Sequence, residues 1–301
     1  MPELPEVEVL VRHLKPLLKR RTIRHVDVRR LKSLGGTPRR TFVRTLTGAT
    51  FLDLQRRGKY LLFHLRTPAT DNRSLITDHS RPSPPDPRPA TLLLGHLGMT
   101  GRMYLLPGNA VLPRHAALVL DLGREKFVFE DTRYFGRLTL KTEAVEKLGP
   151  EPFDEEFDAT VLRTNLKGSR QPIKVKLLDQ TVVAGVGNIY ASEALFRAGI
   201  SPRARAGSLS KPKLARLCAA IRQVLAEAIA AGSTIPLNFR GNGKQDGLFY
   251  YGTAPDALSQ YEERLLVYDR EHQPCVICRT PIRRVIQCAR STYSCPQCQR
   301  I

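Results

Sequence analysis

The chain has 301 residues, 42% of them hydrophobic, which is enough for ordinary cores and, by length, for about two domains. Lysine and arginine total 48 against 28 acidic residues, and the net charge of +20 favours a polyanionic partner. Nucleic acid ranks first, ahead of a merely basic soluble, ribosomal or heparin-binding protein. No run of 18 apolar residues exists, and no basic stretch leads into an apolar one at the start. Neither a membrane span nor a signal peptide is expected, and the chain reads as cytoplasmic.

The opening Met1-Pro2-Glu3-Leu4-Pro5-Glu6-Val7 leads into a helical pattern, with Val7, Val11, Leu14 and Leu18 on one face. Pro5 suits a first turn, Glu3, Glu6 and Glu8 suit its positive end, and Pro16 is expected to kink or shorten the helix. From about Ile23 to Leu140 short β-type runs take over: Ile23–Val28, Tyr60–Leu65, Thr91–Leu94, Ala117–Leu122, Lys126–Phe129 and Arg137–Leu140. Gly and Pro signals between them point to a sandwich or barrel of mostly antiparallel strands. Pro82, Pro84, Pro85, Pro87 and Pro89 make the stretch 69–90 an exposed, extended or disordered loop.

Leu148-Gly149-Pro150-Glu151-Pro152 reads as a domain boundary, and helical text follows. Gly185 and Gly187 allow a tight turn, after which Asn188 is expected to cap a helix whose free N–H groups can bind an anion. In isolation this segment reads first as an ordinary helix–turn–helix corner, ahead of an anion site. Lys213 to Ala231 carries Leu214, Leu217, Ile221, Leu225 and Ile229 on one face, with Gly232 as a stop.

Five of the six cysteines crowd into the last 27 residues. Cys275-x2-Cys278-x16-Cys295-x2-Cys298 has the spacing of a closed, tetrahedral structural zinc site. A tail this short cannot build a core from apolar residues, so metal binding would supply its folding energy. Cys218, among Leu217 and Ala219, reads as a packed thiol.

Three stretches occur here in one order: Met1 to Glu8, Asp179 to Phe196, and the four-cysteine tail. His96-Leu97-Gly98-Met99-Thr100-Gly101 and Asp131-Thr132-Arg133-Tyr134-Phe135-Gly136 lie between them. Together they closely resemble the bacterial formamidopyrimidine-DNA glycosylases, nearly end to end. The resemblance implies an α+β, multidomain fold. Its parts are an N-terminal catalytic β-sandwich flanked by helices (1–150), a helix-two-turn-helix DNA-binding domain with a lesion-capping loop (151–262), and a C-terminal zinc-ribbon-like β-hairpin (263–301).

It also implies a function: excision of formamidopyrimidines and 8-oxoguanine from duplex DNA, then strand cleavage at the abasic site by β,δ-elimination, by a monomer with one structural zinc ion. Removal of Met1 is expected because Pro2 is small, and it exposes a secondary amine. An α-amine has an ordinary pKa of about 7.7–8.0, so much of it is neutral and nucleophilic near neutral pH. By resemblance Pro2 is the nucleophile, Glu3 the acid–base group and Lys59 a group that protonates or binds near the sugar and phosphate. Glu6 positions the site, or serves only the helix end. The target nucleotide has to leave the stack, and Met99, Arg133 and Phe135 match the residues that fill the gap. Lys174, Asn188 and Arg290 match the phosphate-gripping groups.

The resemblance has departures. Tyr134 stands where a basic residue is usual, implying one weaker phosphate contact. The segment 238–262, where the family carries its capping loop, is longer and different, which leaves lesion preference open. The rivals are an endonuclease VIII-like glycosylase for oxidised pyrimidines, a catalytically inactive DNA-binding relative, and a zinc-ribbon transcription or ribosomal factor. The last explains charge and cysteines but not the N-terminus. Leu4 and the Met99, Arg133, Phe135 set favour the purine enzyme.

Overall fold

The computed structural model describes residues 2–68, 90–232 and 265–300. The capping loop expected at 238–262 lies outside the described residues, as does the proline-rich stretch up to Pro89.

The first helix, α1 (Leu4–Leu18), forms as its periodicity predicts, with Pro5 in the first turn. It runs on through Pro16 for two more residues, so the expected kink or early stop at that proline is not found. One face is buried along its length. Val7, Val11, Leu14 and Leu18 join the core of the strand region, whereas Leu4 belongs to the core of the helical region. A single helix is therefore shared by two cores, and residues 2 to 6 lie where they meet.

Eight strands form two four-stranded antiparallel sheets. One holds β1 (His25–Val28), β6 (Ala116–Asp121), β7 (Glu125–Asp131) and β5 (Gly101–Pro107), in that order. The other holds β2 (Thr50–Arg57), β3 (Tyr60–Arg66), β4 (Ala90–His96) and β8 (Arg137–Thr139). Inward side chains of both sheets, with Phe42 of α2 (Arg39–Leu46), build one apolar core around Phe51, Phe63, Phe127 and Phe129. Of the sandwich or barrel expected from the short β-type runs, the sandwich is the observed fold.

Beyond a short helix α3 (Glu143–Glu146), α4 (Ala159–Leu166), α5 (Ile173–Leu177), α6 (Asn188–Arg197) and α7 (Lys211–Ala230) surround the second core. The helix expected at Lys213–Ala231 begins two residues earlier, because Pro212 is accommodated in its first turn. A hairpin of β9 (Arg283–Gln287) and β10 (Arg290–Ser294) forms the third unit, over a small core of Phe196, Val267, Ile282 and Tyr293 with Cys275 and Cys295. The buried Glu193 carboxylate of α6 ties this unit down by accepting the N–H groups of Leu266, Val267 and Tyr268 at 2.8–3.0 Å.

A charged latch joins the sandwich to the segment that leaves it. Glu151 accepts from Arg56 at 2.6 Å, from Arg57 at 3.0 Å and from the Gly58 N–H. Arg57 also donates to the carbonyls of Leu148 and Gly149. Arg56 reaches on to Glu8 of α1 at 2.8 Å. Lys59 follows Gly58 within this β2–β3 turn, so the latch fixes the turn that carries it. Removing one member of a buried ion pair leaves its partner uncompensated, at a cost of about 3–5 kcal/mol. Glu151→Ala is expected to lower unfolding stability by about that amount in urea titration, whereas a mutant at an exposed pair such as Arg12–Glu8 changes it by under about 1 kcal/mol.

Candidate active site

The turn expected at Gly185–Gly187 is present, but its cap is different. Gly187, not Asn188, is the N-cap of α6, and Asn188 is the first helical residue. The helix start does bind an anion, and that anion is the protein's own Glu3. The Glu3 carboxylate accepts the N–H of Ile189 at 2.9 Å and of Tyr190 at 3.4 Å. A glycine is required here, since a Cβ on Gly187 would lie 2.2 Å from Cδ of Glu3. Leu4 N–H donates to the Gly185 carbonyl at 3.0 Å. Gln180 braces the same turn, accepting from Gly185 N–H at 2.9 Å and donating to the Val186 carbonyl at 2.9 Å.

Pro2, Glu3, Glu6 and Lys59 are all buried. Glu6 folds back to accept the Glu3 N–H at 2.6 Å and takes the hydroxyl proton of Tyr190 at 2.8 Å. Burial pushes the Glu3 carboxyl above its ordinary value, while the Lys59 charge pulls it down, Glu6 pushes it up and the two helix N–H groups lower it. Burial likewise lowers the Lys59 ammonium, against the pull of Glu3. A buried acid, next in sequence to Pro2, and a buried base are therefore each tuned by the other.

Lys174 is only 1% exposed. Its ammonium donates to Asn188 Oδ1 at 2.7 Å, the Ser291 carbonyl at 2.7 Å and Thr292 Oγ1 at 2.8 Å. An ammonium has three hydrogens, so none is left over for an outside group in this arrangement. Burial lowers its pKa to about 7. Asn188 donates to the same Ser291 carbonyl at 3.0 Å. Lys174 and Asn188 thus join α5, α6 and β10 next to Arg290. Arg290 itself is exposed and follows a two-residue turn, Cys288-Ala289, both with left-handed φ (47° and 59°).

Met99, Arg133 and Phe135 lie on two adjoining loops. Met99 is 43% and Phe135 50% exposed, unusual for large apolar side chains, and Arg133 stands over the Phe135 ring at 5.5 Å. Asp131, fully buried, joins the loops: it accepts from Thr100 Oγ1, from Arg133 N–H at 3.2 Å and from Gly136 N–H at 2.7 Å. The loops touch backbone to backbone, since a Cβ on Gly98 would meet Gly136 N at 2.5 Å. Sequence reasoning assigned nothing to Asp131, Tyr190, Glu151 or Thr292. Their only signal was a polar residue within an otherwise apolar or motif-rich stretch.

The four cysteines expected as ligands converge: their sulfurs lie within 4.8 Å of one another. Cys278 to Cys295 is 3.4 Å and Cys275 to Cys298 is 3.9 Å. A tetrahedron of zinc–sulfur bonds of about 2.3 Å has edges of about 3.8 Å, so the cluster fits that ion. The N–H groups of Ile277 and Cys298 point at Sγ of Cys275 and Cys295, both at 3.4 Å, as suits thiolate acceptors. Cys218 is buried, as expected, and burial pushes its thiol up to about 11.

Two family models match this chain: the formamidopyrimidine-DNA glycosylase N-terminal domain over residues 1–138 and the formamidopyrimidine-DNA glycosylase H2TH domain over residues 148–238. The formamidopyrimidine-DNA glycosylase of Paracoccus denitrificans is 39% identical over the whole of both chains. The MutM (Fpg) structure from Thermus thermophilus is 36% identical, with a TM-score of 0.76 over 99% of this chain and 98% of that one. A MutM bound to DNA containing carbocyclic 8-oxo-G is 30% identical, with a TM-score of 0.80 over the whole of both chains. The fold and site are thus those of a two-lobed protein with a separate metal-type hairpin. The chain belongs to the formamidopyrimidine-DNA glycosylase family.

His96, on the strand end before the Met99 loop, stacks on Tyr60 at 4.9 Å and accepts the Gly98 N–H at 3.1 Å through Nδ1. Burial, with Lys59 and Arg137, lowers its pKa to about 4. The unfolded chain holds its proton up to about pH 6.5, so it binds more protons than the folded chain between those values. Stability is therefore expected to rise with pH from about 4 to 6.5. In His96→Asn, melting temperatures across that range should show a shallower slope; an unchanged slope would contradict the assignment.

Proposed function

We propose that this chain releases oxidised purines and then cuts the strand, using the Pro2 amine as nucleophile. As a family member it is a DNA glycosylase that acts on oxidised bases. The observation that supports the finer reading is the electrostatically coupled pair of buried Glu3, next in sequence to the buried Pro2, and buried Lys59. With Met1 removed, the neutral amine attacks C1′ and the base leaves, taking a proton. The sugar ring opens and the nitrogen becomes an iminium. That cation acidifies C2′–H; loss of this proton expels the 3′ phosphate, and a second elimination expels the 5′ phosphate. Glu3, whose carboxyl burial pushes above its ordinary value, gives and takes the protons at the ring oxygen and C2′. Lys59 serves the sugar and the adjoining phosphate, and Glu6 holds Glu3 in register.

Duplex DNA containing oxidised bases or abasic sites is the partner. Met99, Arg133 and Phe135 fill the space of the extruded nucleotide, and their exposure on two braced loops supports this. Arg290 and Asn188 grip phosphate. Lys174 serves that grip from behind, by fixing both, since its own hydrogens are committed. Cys275, Cys278, Cys295 and Cys298 hold one structural zinc ion, which supplies the folding energy of the hairpin. The working units are 1–150, 151–262 and 263–301, in a cytoplasmic monomer.

Borohydride trapping tests the chemistry. Duplexes carrying 8-oxoguanine or a formamidopyrimidine are expected to give a reduced covalent adduct whose peptide map places it on Pro2. An adduct formed with thymine-glycol duplexes alone would make the chain a pyrimidine enzyme. No adduct with any duplex, with binding retained, would leave only a binding protein.

A further inference from the structure

We propose that Arg30 and Lys32, seated on the rings of Tyr134 and Phe135, form a cationic clamp for a backbone phosphate of duplex DNA beside the Met99–Phe135 loops. The proposal rests on the reading that those loops enter the duplex. Arg30 Cζ stands 5.0 Å from the Tyr134 ring centroid, and Lys32 Nζ stands 5.3 Å from that of Phe135. Two cations from the connection after β1 thus stack on two successive aromatics of the loop after β7.

Both sides of this contact are fixed. The N–H groups of Arg29 and Arg30 donate to one carbonyl, that of Ala117, at 3.1 and 3.0 Å. Tyr134 is held in the left-handed region at φ 53°, a conformation that costs a bulky residue energy. Its hydroxyl lies 3.2 Å from His115 Nδ1, so the ring is anchored at its far end as well.

Charge decides what the clamp is for. Among the described residues, neither Arg30 nor Lys32 is in an ion pair with a carboxylate. The nearest loop acid, Asp131, is fully buried and already accepts bonds within the loops. Arg133 adds a third cation over Phe135. Concentrated positive charge without an internal counter-charge raises the energy of the free protein and lowers it when a polyanion arrives. A guanidinium held over a ring has N–H groups to offer, and its fork matches a phosphate in a pair of bonds. An open groove of about 320 Å³ lies alongside; Phe135 lines it together with the cations of Arg137 and Lys141 and one carboxylate, Glu143. Tyr134 acts in this scheme as a positioning residue: it aims Arg30 and is not itself a phosphate ligand.

The test is the salt dependence of binding to a duplex with a tetrahydrofuran abasic analogue. Each phosphate contact removed lowers the slope of log affinity against log salt by about 1. Arg30→Gln and Lys32→Gln are each expected to lower the slope in part, and the double variant by about 1, with unchanged melting temperature. Tyr134→Leu keeps the slope nearer to that of the parent but lowers affinity by about two- to fivefold, the worth of a cation–aromatic contact, and Tyr134→Phe restores it. Unchanged slopes in both charge variants would overturn the clamp. Base release from an 8-oxoguanine duplex is measured in parallel. Release by the parent protein with unchanged variant slopes overturns the clamp alone; reduced slopes without release overturn the glycosylase reading and leave the clamp standing.

Discussion

The carboxylate of Glu3 on the first N–H groups of α6 is the contact on which the rest of the molecule depends. It spans 186 residues of sequence and lies where two apolar cores meet. A helix start carries unpaired N–H groups and a positive dipole end, so it either binds an outside anion or is satisfied from within. Here it is satisfied by the residue next to Pro2. The same contact fixes the direction of the chain start, because Leu4 N–H reaches Gly185 and Glu6 reaches both Glu3 N–H and Tyr190. The start of the chain, with Pro2, is therefore placed by the helical half, although α1 mostly packs on the sandwich.

The charge pattern follows from that junction. The buried Glu3 carboxylate feels the ammonium of Lys59 from the sandwich, while Lys174 of the helical unit feels both Glu3 and, from the hairpin, Arg290. Lys174 does not reach outward; it ties α5, α6 and β10 together, so a change in the hairpin is felt at the start of α6. The metal-type cluster enters the account in the same mechanical way. Cys295 and Cys298 follow directly on β10, the strand that begins at Arg290.

Much of this was legible in the residues. The α1 and α7 faces follow a helical period, and the four-cysteine spacing needs no structure to be read. Strand β2 is harder to read, because a register shift between Phe51 and Asp53 interrupts its alternation. The Gly185–Gly187 turn was visible, but its cap was misplaced onto Asn188. The polar side chain that satisfies the helix start comes from the far end of the chain, where no local rule can find it. The inward role of Lys174 is hidden for the same reason, since its hairpin partners are 117 and 118 residues away. Local pattern shows which residues carry chemistry; it does not show which of them hold each other.

The junction is tested most directly at Gly187, where a methyl group would fall on the Glu3 carboxyl. Single-turnover base release from an 8-oxoguanine duplex, measured for Gly187→Ala beside its thermal unfolding, separates positioning from folding. If Glu3 is held by the start of α6, release falls by about 100-fold or more while the protein still melts cooperatively, since a misplaced reacting group costs about that much. Release at the parent rate in a folded Gly187→Ala protein would contradict the account.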